Sequence, residues 1–451
     1  MTTRRDFLRN SALGTAAVTA APASLILNNN DADKLKIGIA REIITPKLGG
    51  FFAGYGSNIQ SNAVHDDLTV TALAIEQGKI KVMLISATIL YVDNKLSDRL
   101  RTLCGEAAGV PAANVILAFT HTHSGPVITT EYSDEILIPK CVAAAKASVK
   151  TMKPVTVGIA TTETRVGINR REILPDNKVI LGQNPWGPYD SEMTVISFKG
   201  ENGKSIANIV HCTAHCTATG QTTLISRDWA GVMVDRLEQE SDGITLFFQG
   251  MQGDIAPRKA NNQKTRSNIA HAMEVGGVAA LDAIRAYKDI RVYRDEELSV
   301  VTGEVRLPYA PVMPLEEARS ELEKLEASTP GRWTEDFRRI LTRMIELHEK
   351  GETGESYFVY DQTLVRIGPI VFIPVPFEAS CEISFRLRAY SKYGHTLALG
   401  CTNGSNSYLV TQDQICRGGY EVERFRWSGP RLADNADIHL ISENLKLVEK
   451  L

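Results

Sequence analysis

Long apolar runs, dense cysteine and an excess of one charge are all missing from this sequence, and each absence closes off a class of protein. Beyond the amino-terminal segment no stretch reaches the roughly 18 uninterrupted apolar residues that a membrane-spanning helix needs, so the mature chain is expected not to cross a bilayer. Its 50 Lys and Arg stand against 53 Asp and Glu, a formal charge of −3 over 451 residues, with no long basic run. That balance argues against a nucleic-acid or anionic-membrane surface and for a small-molecule substrate. Seven cysteines, at 104, 141, 212, 216, 381, 401 and 416, are too few and too scattered for a disulfide framework, and their odd number leaves at least one unpaired. Cys212 and Cys216 flank His215 without a second Cys pair at zinc-ribbon spacing, so they read as core thiols. No internal repeat is present.

What is there is a chain long enough for one large or two ordinary domains, with 43% hydrophobic residues to build a core. Residues 1 to 30 read as a targeting segment: Arg4-Arg5-Asp6-Phe7-Leu8 precedes an alanine-rich, mildly apolar stretch, the pattern of a twin-arginine signal, with Ala21-Pro22-Ala23 as small residues for cleavage. The expected location is periplasmic or secreted, and residues 31 to 451 are expected to form one catalytic domain. A polar, Asn-rich stretch at 28 to 34 reads as a linker. Short β-branched runs at 82–90 and 115–119 read as buried strands around a helix at 96–107, which implies a parallel unit with its loops at one edge. Further strands are expected at 155–160, 206–216, 244–249, 358–376 and 396–399. Helices are expected at 134–150, at 229–239 capped by Asp228, at 268–287, and from Glu378 onward. The charged segment 314–350, broken at Pro330-Gly331, reads as a helical hairpin that covers or flanks a cleft. The fold class is α/β, a mixed sheet with flanking helices.

The chemistry concentrates where the 115–119 strand runs into Thr120-His121-Thr122-His123-Ser124-Gly125-Pro126. Ligands of parallel sheets bind beyond the carboxyl ends of strands. In extended backbone His121 and His123 would point to opposite faces, one toward a metal and the other toward substrate. His211, Thr213 and His215 alternate, so they would share one strand face; His215, next to the 217–222 loop, is the better ligand, and His211 reads as a hydrogen-bonded core residue. On their own, Glu378 reads as a carboxylate at a helix N-terminus, Tyr408 as a half-buried loop aromatic and Asp254 as a turn residue.

Taken together, the blocks are specific. Ala118-Phe119-Thr120-His121-Thr122-His123-Ser124-Gly125-Pro126 resembles the signature of the neutral, non-lysosomal ceramidases, and later blocks follow in that family's order. These are Ala214-His215-Cys216-Thr217-Ala218-Thr219-Gly220 with Ile225-Ser226-Arg227-Asp228-Trp229, then Phe248-Gln249-Gly250-Met251-Gln252-Gly253-Asp254, Pro374-Val375-Pro376-Phe377-Glu378, and Ser407-Tyr408-Leu409-Val410-Thr411. The resemblance covers most of residues 36 to 430. It implies zinc held by His121, His215, Glu378 and Tyr408, with His123 close to the reacting carbonyl. Asn169-Arg170-Arg171 matches a further block, which implies Arg170 near the substrate; His123, Arg170 and Tyr408 are thus the expected catalytic groups. Two imidazoles, a carboxylate and an oxygen donor suit a catalytic zinc, which lowers the pKa of its water to about 7 and polarises a carbonyl. The expected activity is hydrolysis of an amide in an N-acyl compound. Two departures stand out: Gly250-Met251 occupies the place of the family's Ser-Asn, leaving Gln249 and Gln252 as replacements, and the chain ends soon after the tyrosine block, without the family's C-terminal β-sandwich domain. The loss of the Ser-Asn pair and the absence of an obvious acyl-chain platform favour a rival, a related hydrolase of a soluble, carbohydrate-derived substrate; a third reading is a binding protein of the same fold without turnover.

Overall fold

The computed structural model describes residues 34–55, 58–258, 267–329, 334–352, 356–427 and 431–451; the expected signal segment, most of the 28–34 stretch and the Pro330-Gly331 break lie outside them. An eight-stranded sheet runs in the order 244–249, 205–212, 192–200, 153–163, 36–43, 69–77, 80–87, 115–119. Two of its pairings are parallel, 80–87 with 115–119 and 205–212 with 244–249, and each is joined through a helix, Asn94–Ala108 or Asp228–Ser241. The other neighbours are antiparallel, so the sheet is mixed, as expected.

Alternation along the strands decides the layers. On the 69–77 strand Val70, Ala72 and Ala74 face a helical layer, while Leu73 and Ile75 face the opposite way, into a slab filled by Leu84, Ile116, Ile196, Phe198, Ile209 and Phe248. The other wall of that slab is a second, four-stranded sheet of 298–308, 357–367, 370–374 and 395–399, contributing Val365, Phe372, Leu397 and Leu399. Helices 94–108, 138–148, 228–241 and 269–289 cover the outer face of the large sheet, and 381–390 and 436–448 cover that of the small one. The result is a four-layer α/β/β/α stack. Among the described residues no helix is long and apolar enough to span a membrane. All seven cysteines are unpaired, and only Cys416 is exposed.

The expected helix from Glu378 is corrected: Glu378–Ala379 is a two-residue strand paired in parallel with Tyr408–Leu409, and the helix begins at Cys381. Asp228 is likewise not a cap. It is the first helical residue, with a left-handed φ of 59°, and Arg227 holds the cap position. The hairpin is present as Leu315–Ala327 and Thr334–Glu349.

Candidate metal centre

Loops that follow four strands meet at one edge of the stack: 120–126 after 115–119, 213–220 after 205–212, 375–380 after 370–374, and 400–408 after 395–399. The first of these departs from the sequence expectation. His121 is not extended; its φ is 64°, and its N–H donates to the Ile89 carbonyl. This left-handed step, uncommon without glycine, cancels the alternation and brings His121 and His123 to the same side, with ring centroids 5.1 Å apart. His215 lies past the end of its strand, where its N–H donates to Ile255 O; its ring centroid is 5.0 Å from that of His121 and 5.9 Å from that of His123. The metal-ligating atoms of these three histidines all lie within 4.8 Å of one another. His211 stays in the core, its Nε2 3.1 Å from Ala398 O.

Hydrogen bonds from the ring backs fix what faces the centre. His121 Nδ1 is 3.0 Å from Leu90 O and His215 Nδ1 is 2.9 Å from Ile255 O. A carbonyl only accepts, so each Nδ1 carries the proton and each Nε2 presents a bare lone pair. Both lone pairs meet one carboxylate oxygen: Glu378 Oε2 is 3.2 Å from His121 Nε2 and 3.1 Å from His215 Nε2. Three acceptors in such proximity repel unless a cation or proton lies among them. Ligand atoms at about 2.0–2.2 Å from a tetrahedral zinc stand roughly 3.4 Å apart, so the observed spacing fits such an ion after a small expansion. The parallel pairing of Glu378 with Tyr408 sets the phenol beside the carboxylate, and Arg170 Nη2 donates to Tyr408 Oη at 2.9 Å.

His123 differs from its neighbours. Both its ring nitrogens are buried with no hydrogen-bond partner, and Gly54 packs so closely that a Cβ there would lie 2.3 Å from Nδ1. Burial, and then the charges of His121 and His215, hold its pKa well below the ordinary imidazole value. Burial and then the Arg170 charge lower His215 to about 4. Burial also works against a charge on His121, but Cys401 and Glu378 outweigh it and raise His121 well above the usual value. Glu378 would be raised by burial, yet His121 and His215 pull it well below the carboxylate range. Arg170 Nη1 lies 3.2 Å from His215 Nε2, which disfavours a charge on that ring.

Arg170 is buried and does not line the cavity in front of the centre; it reaches the centre through His215 and Tyr408. Behind it stands Glu421, which nothing in the sequence singled out: Oε1 accepts from Arg170 Nε at 2.7 Å and Oε2 from Arg171 Nη1 at 2.7 Å. The adjacent pair Arg170-Arg171 signals that a buried counter-ion is needed, but not which of 53 acids supplies it.

The Gly250-Met251 step also reads differently in three dimensions. Met251 is fully buried against the small sheet, and a Cβ at Gly250 would lie 2.1 Å from Thr213 Oγ1. Gln249 bonds Ala214 through both ends of its amide and reaches Thr120 O, tying the two histidine loops together, while Gln252 Nε2 bonds Cys401 Sγ at 2.8 Å. None of these four residues lines the cavity, so neither glutamine replaces a substrate-facing pair. Asp228 is likewise structural, since its carboxylate accepts from the N–H groups of Ala218 and Thr219 and clamps the loop after His215.

The centre opens into a cavity of about 380 Å³ walled by His121, His123, Tyr91, Tyr408, Tyr420 and Trp427, among others. The 334–349 helix of the hairpin contributes Arg339 to this wall, so the hairpin does flank the cleft.

No model of a known protein family matches the chain. Two curated relatives are the neutral ceramidases B and A of Dictyostelium discoideum, each 30% identical over 178 residues, which is 32% of this chain and 24% of the relative. The chain thus aligns with about a quarter of the length of either. Among solved structures, neutral ceramidase from Pseudomonas aeruginosa superposes with a TM-score of 0.71 at 19% identity over 93% of this chain and 75% of that one. A ceramidase complexed with C2 matches with a TM-score of 0.71 at 18% identity, covering 93% and 76%. The large sheet and its flanking helices thus have the fold of those ceramidase structures, and part of the chain is similar in sequence to the two curated neutral ceramidases.

Proposed function

We propose that the protein is an exported, zinc-dependent amidohydrolase that cleaves a small N-acyl compound. The observation that carries this reading is the convergence of His121 Nε2, His215 Nε2 and Glu378 Oε2 at 3.1–3.2 Å, with Tyr408 alongside, at the wall of an open cavity. Export rests on the twin-arginine pattern of the first residues. The amide as target rests on the ceramidase relatives, and the N-acyl class follows from the same source.

His121, His215, Glu378 and Tyr408 would hold the ion, which when bound supplies a Lewis acid for an acyl oxygen and an acidified water. His123 is left free for proton transfer. It is neutral at pH 7 because burial and its neighbours disfavour its charge, and no partner occupies its lone pair, so it takes a proton and returns it to the departing nitrogen. Arg170, made permanently cationic by Tyr408 and Glu421 against the opposing effect of burial, holds the Tyr408 hydroxyl by donating to its oxygen.

The protein lacking residues 1 to 30, assayed on N-acyl amides and simple esters with and without a chelator, tests the reading. His121→Ala is expected to lose both bound zinc and turnover. His123→Ala is expected to keep zinc and lose about 10²–10⁴ in rate. A His123→Ala protein without metal would instead make His123 a third imidazole ligand, which the three-histidine cluster also accommodates. Full zinc occupancy with no turnover on any amide or ester would leave a binding protein of the same fold.

A further inference from the structure

His123 is held by none of the bonds that hold its neighbours. His121 and His215 are each fixed at the back of the ring, where Nδ1 meets the carbonyl of Leu90 or Ile255. Neither ring nitrogen of His123 has a hydrogen-bond partner. The last side-chain torsion of an imidazole is broad and roughly two-fold, so without such a bond packing alone sets where its nitrogens point. Among the described residues, three rings pack against it: Tyr55 at a centroid distance of 4.9 Å, tilted by 59°, His121 at 5.1 Å, and His215 at 5.9 Å. Two of these belong to the metal centre. Tyr55 does not, it stands nearest of the three, and nothing in the sequence singled it out.

The backbone sets Tyr55 in register with the histidine. Phe52 is buried in the core and bridges Pro126, Ala53 N–H donates to Gly125 O at 3.1 Å, and Val127 N–H donates to Phe51 O at 2.9 Å. The 51–55 segment is thereby tied by main-chain bonds to the turn that directly follows His123. Gly54, at a φ of 93°, then brings its backbone against the imidazole, where a Cβ would lie 2.3 Å from Nδ1. Both the conformation and the close approach require glycine. We infer that Gly54 and Tyr55 form a clamp that aims the His123 ring, the glycine by contact at Nδ1 and the tyrosine by ring packing. The inference rests on the reading of His123 as the proton carrier and adds what positions it, since proton transfer needs the nitrogen within hydrogen-bond reach of the group it serves. Tyr55 acts through His123 and is a positioning residue; its ring, not its hydroxyl, makes the contact.

The test separates ring placement from turnover. In protein carrying nitrogen-15-labelled histidine, the His123 resonances are identified by their loss in His123→Ala. Tyr55→Leu is expected to let the ring sample both orientations, so that these resonances shift or broaden, whereas Tyr55→Phe keeps an aromatic ring and is expected to leave them in place. Gly54→Ala adds a single methyl group and is expected to displace the same ring by direct contact. Thermal melts confirm that each variant folds. In zinc-loaded protein given N-octanoylethanolamine, Tyr55→Leu is expected to lower kcat by about 10–100-fold with KM and zinc content unchanged, and Tyr55→Phe to stay within about twofold of wild type. His123 resonances unmoved in Tyr55→Leu overturn the inference, as does zinc lost in step with rate, or a Tyr55→Phe variant as slow as Tyr55→Leu. A displaced His123 ring with undiminished turnover would leave the clamp standing and remove His123 from proton transfer.

Discussion

The slab between the two sheets and the loop cluster beyond the strand ends are built on opposite rules. In the slab the side chains from Leu73 and Phe198 to Phe372 and Leu399 form an apolar cluster nearly devoid of exposure. At the strand ends, His121, His215, Glu378, Arg170, Arg171 and Glu421 are all buried, and His121, Cys401, Asn403 and Ser407 adopt left-handed φ values that non-glycine residues rarely hold. Lone pairs that repel and backbone that is strained persist only where the surroundings over-determine them. Stability therefore resides in the slab and the centre draws on it, so the two regions are expected to fail in different ways.

The largest separation is expected from the carboxylate. Glu378→Gln removes the anion that balances the ion and is expected to abolish zinc binding and lower turnover by on the order of 10³ or more, while the chain keeps its fold. Metal analysis beside a thermal melt checks both halves; a variant that unfolds outright would mean the centre holds the fold together. The converse change, Phe372→Ala, opens a cavity in the slab and is expected to cost about 3–5 kcal/mol in urea unfolding, with zinc per folded molecule unchanged. Between the two regions lies Glu421. Glu421→Ala leaves Arg170 and Arg171 buried and unbalanced, and an expected loss of about 3 kcal/mol in the same unfolding assay goes with slower turnover, because Arg170 no longer holds Tyr408.

The smallest effect concerns pH. Asp254 lies beneath the centre, accepting from Cys381 N–H and from the Gln414 side chain, and burial raises its pKa to about 6 from 3.8 despite those donors. A carboxyl raised on folding binds its proton more tightly in the native state, so its contribution to stability is greatest below pH 3.8 and falls away as pH rises through 6. Asp254→Asn removes that slope. Urea unfolding of metal-free protein at pH 4.5 and 7 is expected to show the variant's deficit relative to wild type shrinking at the higher pH. An unchanged deficit would place Asp254 among groups whose ionisation does not respond to folding.

How far the fold and the centre were legible in the chain follows from the range of the interactions. The slab strands could be read because a short apolar run is a local signal: Val82 to Leu90 and Ile244 to Gln249 carry their burial in their own composition. The histidine pair could be read as chemistry because two imidazoles at a strand end need partners. Its geometry could not, since a single left-handed residue at His121 reversed the direction that extended backbone implies. Glu378 looked like a helix-end carboxylate for the same reason: its pairing partner Tyr408 lies thirty positions on, and no local pattern announces a two-residue parallel bridge.

The order of residues alone settled the mixed α/β class, the strand ends where a site must lie, and which residue types gather there, because periodicity and donor chemistry are properties of short segments. It took the folded chain to show that His121, His215 and Glu378 turn their lone pairs on one point, that Glu421 balances Arg170 and Arg171, and that Arg339 and Arg424 face the same cleft. Each of these joins segments that the chain separates and the packing of the sheets and helices brings together, and electrostatic balance among buried groups depends on distance in space, which spacing along the chain does not encode.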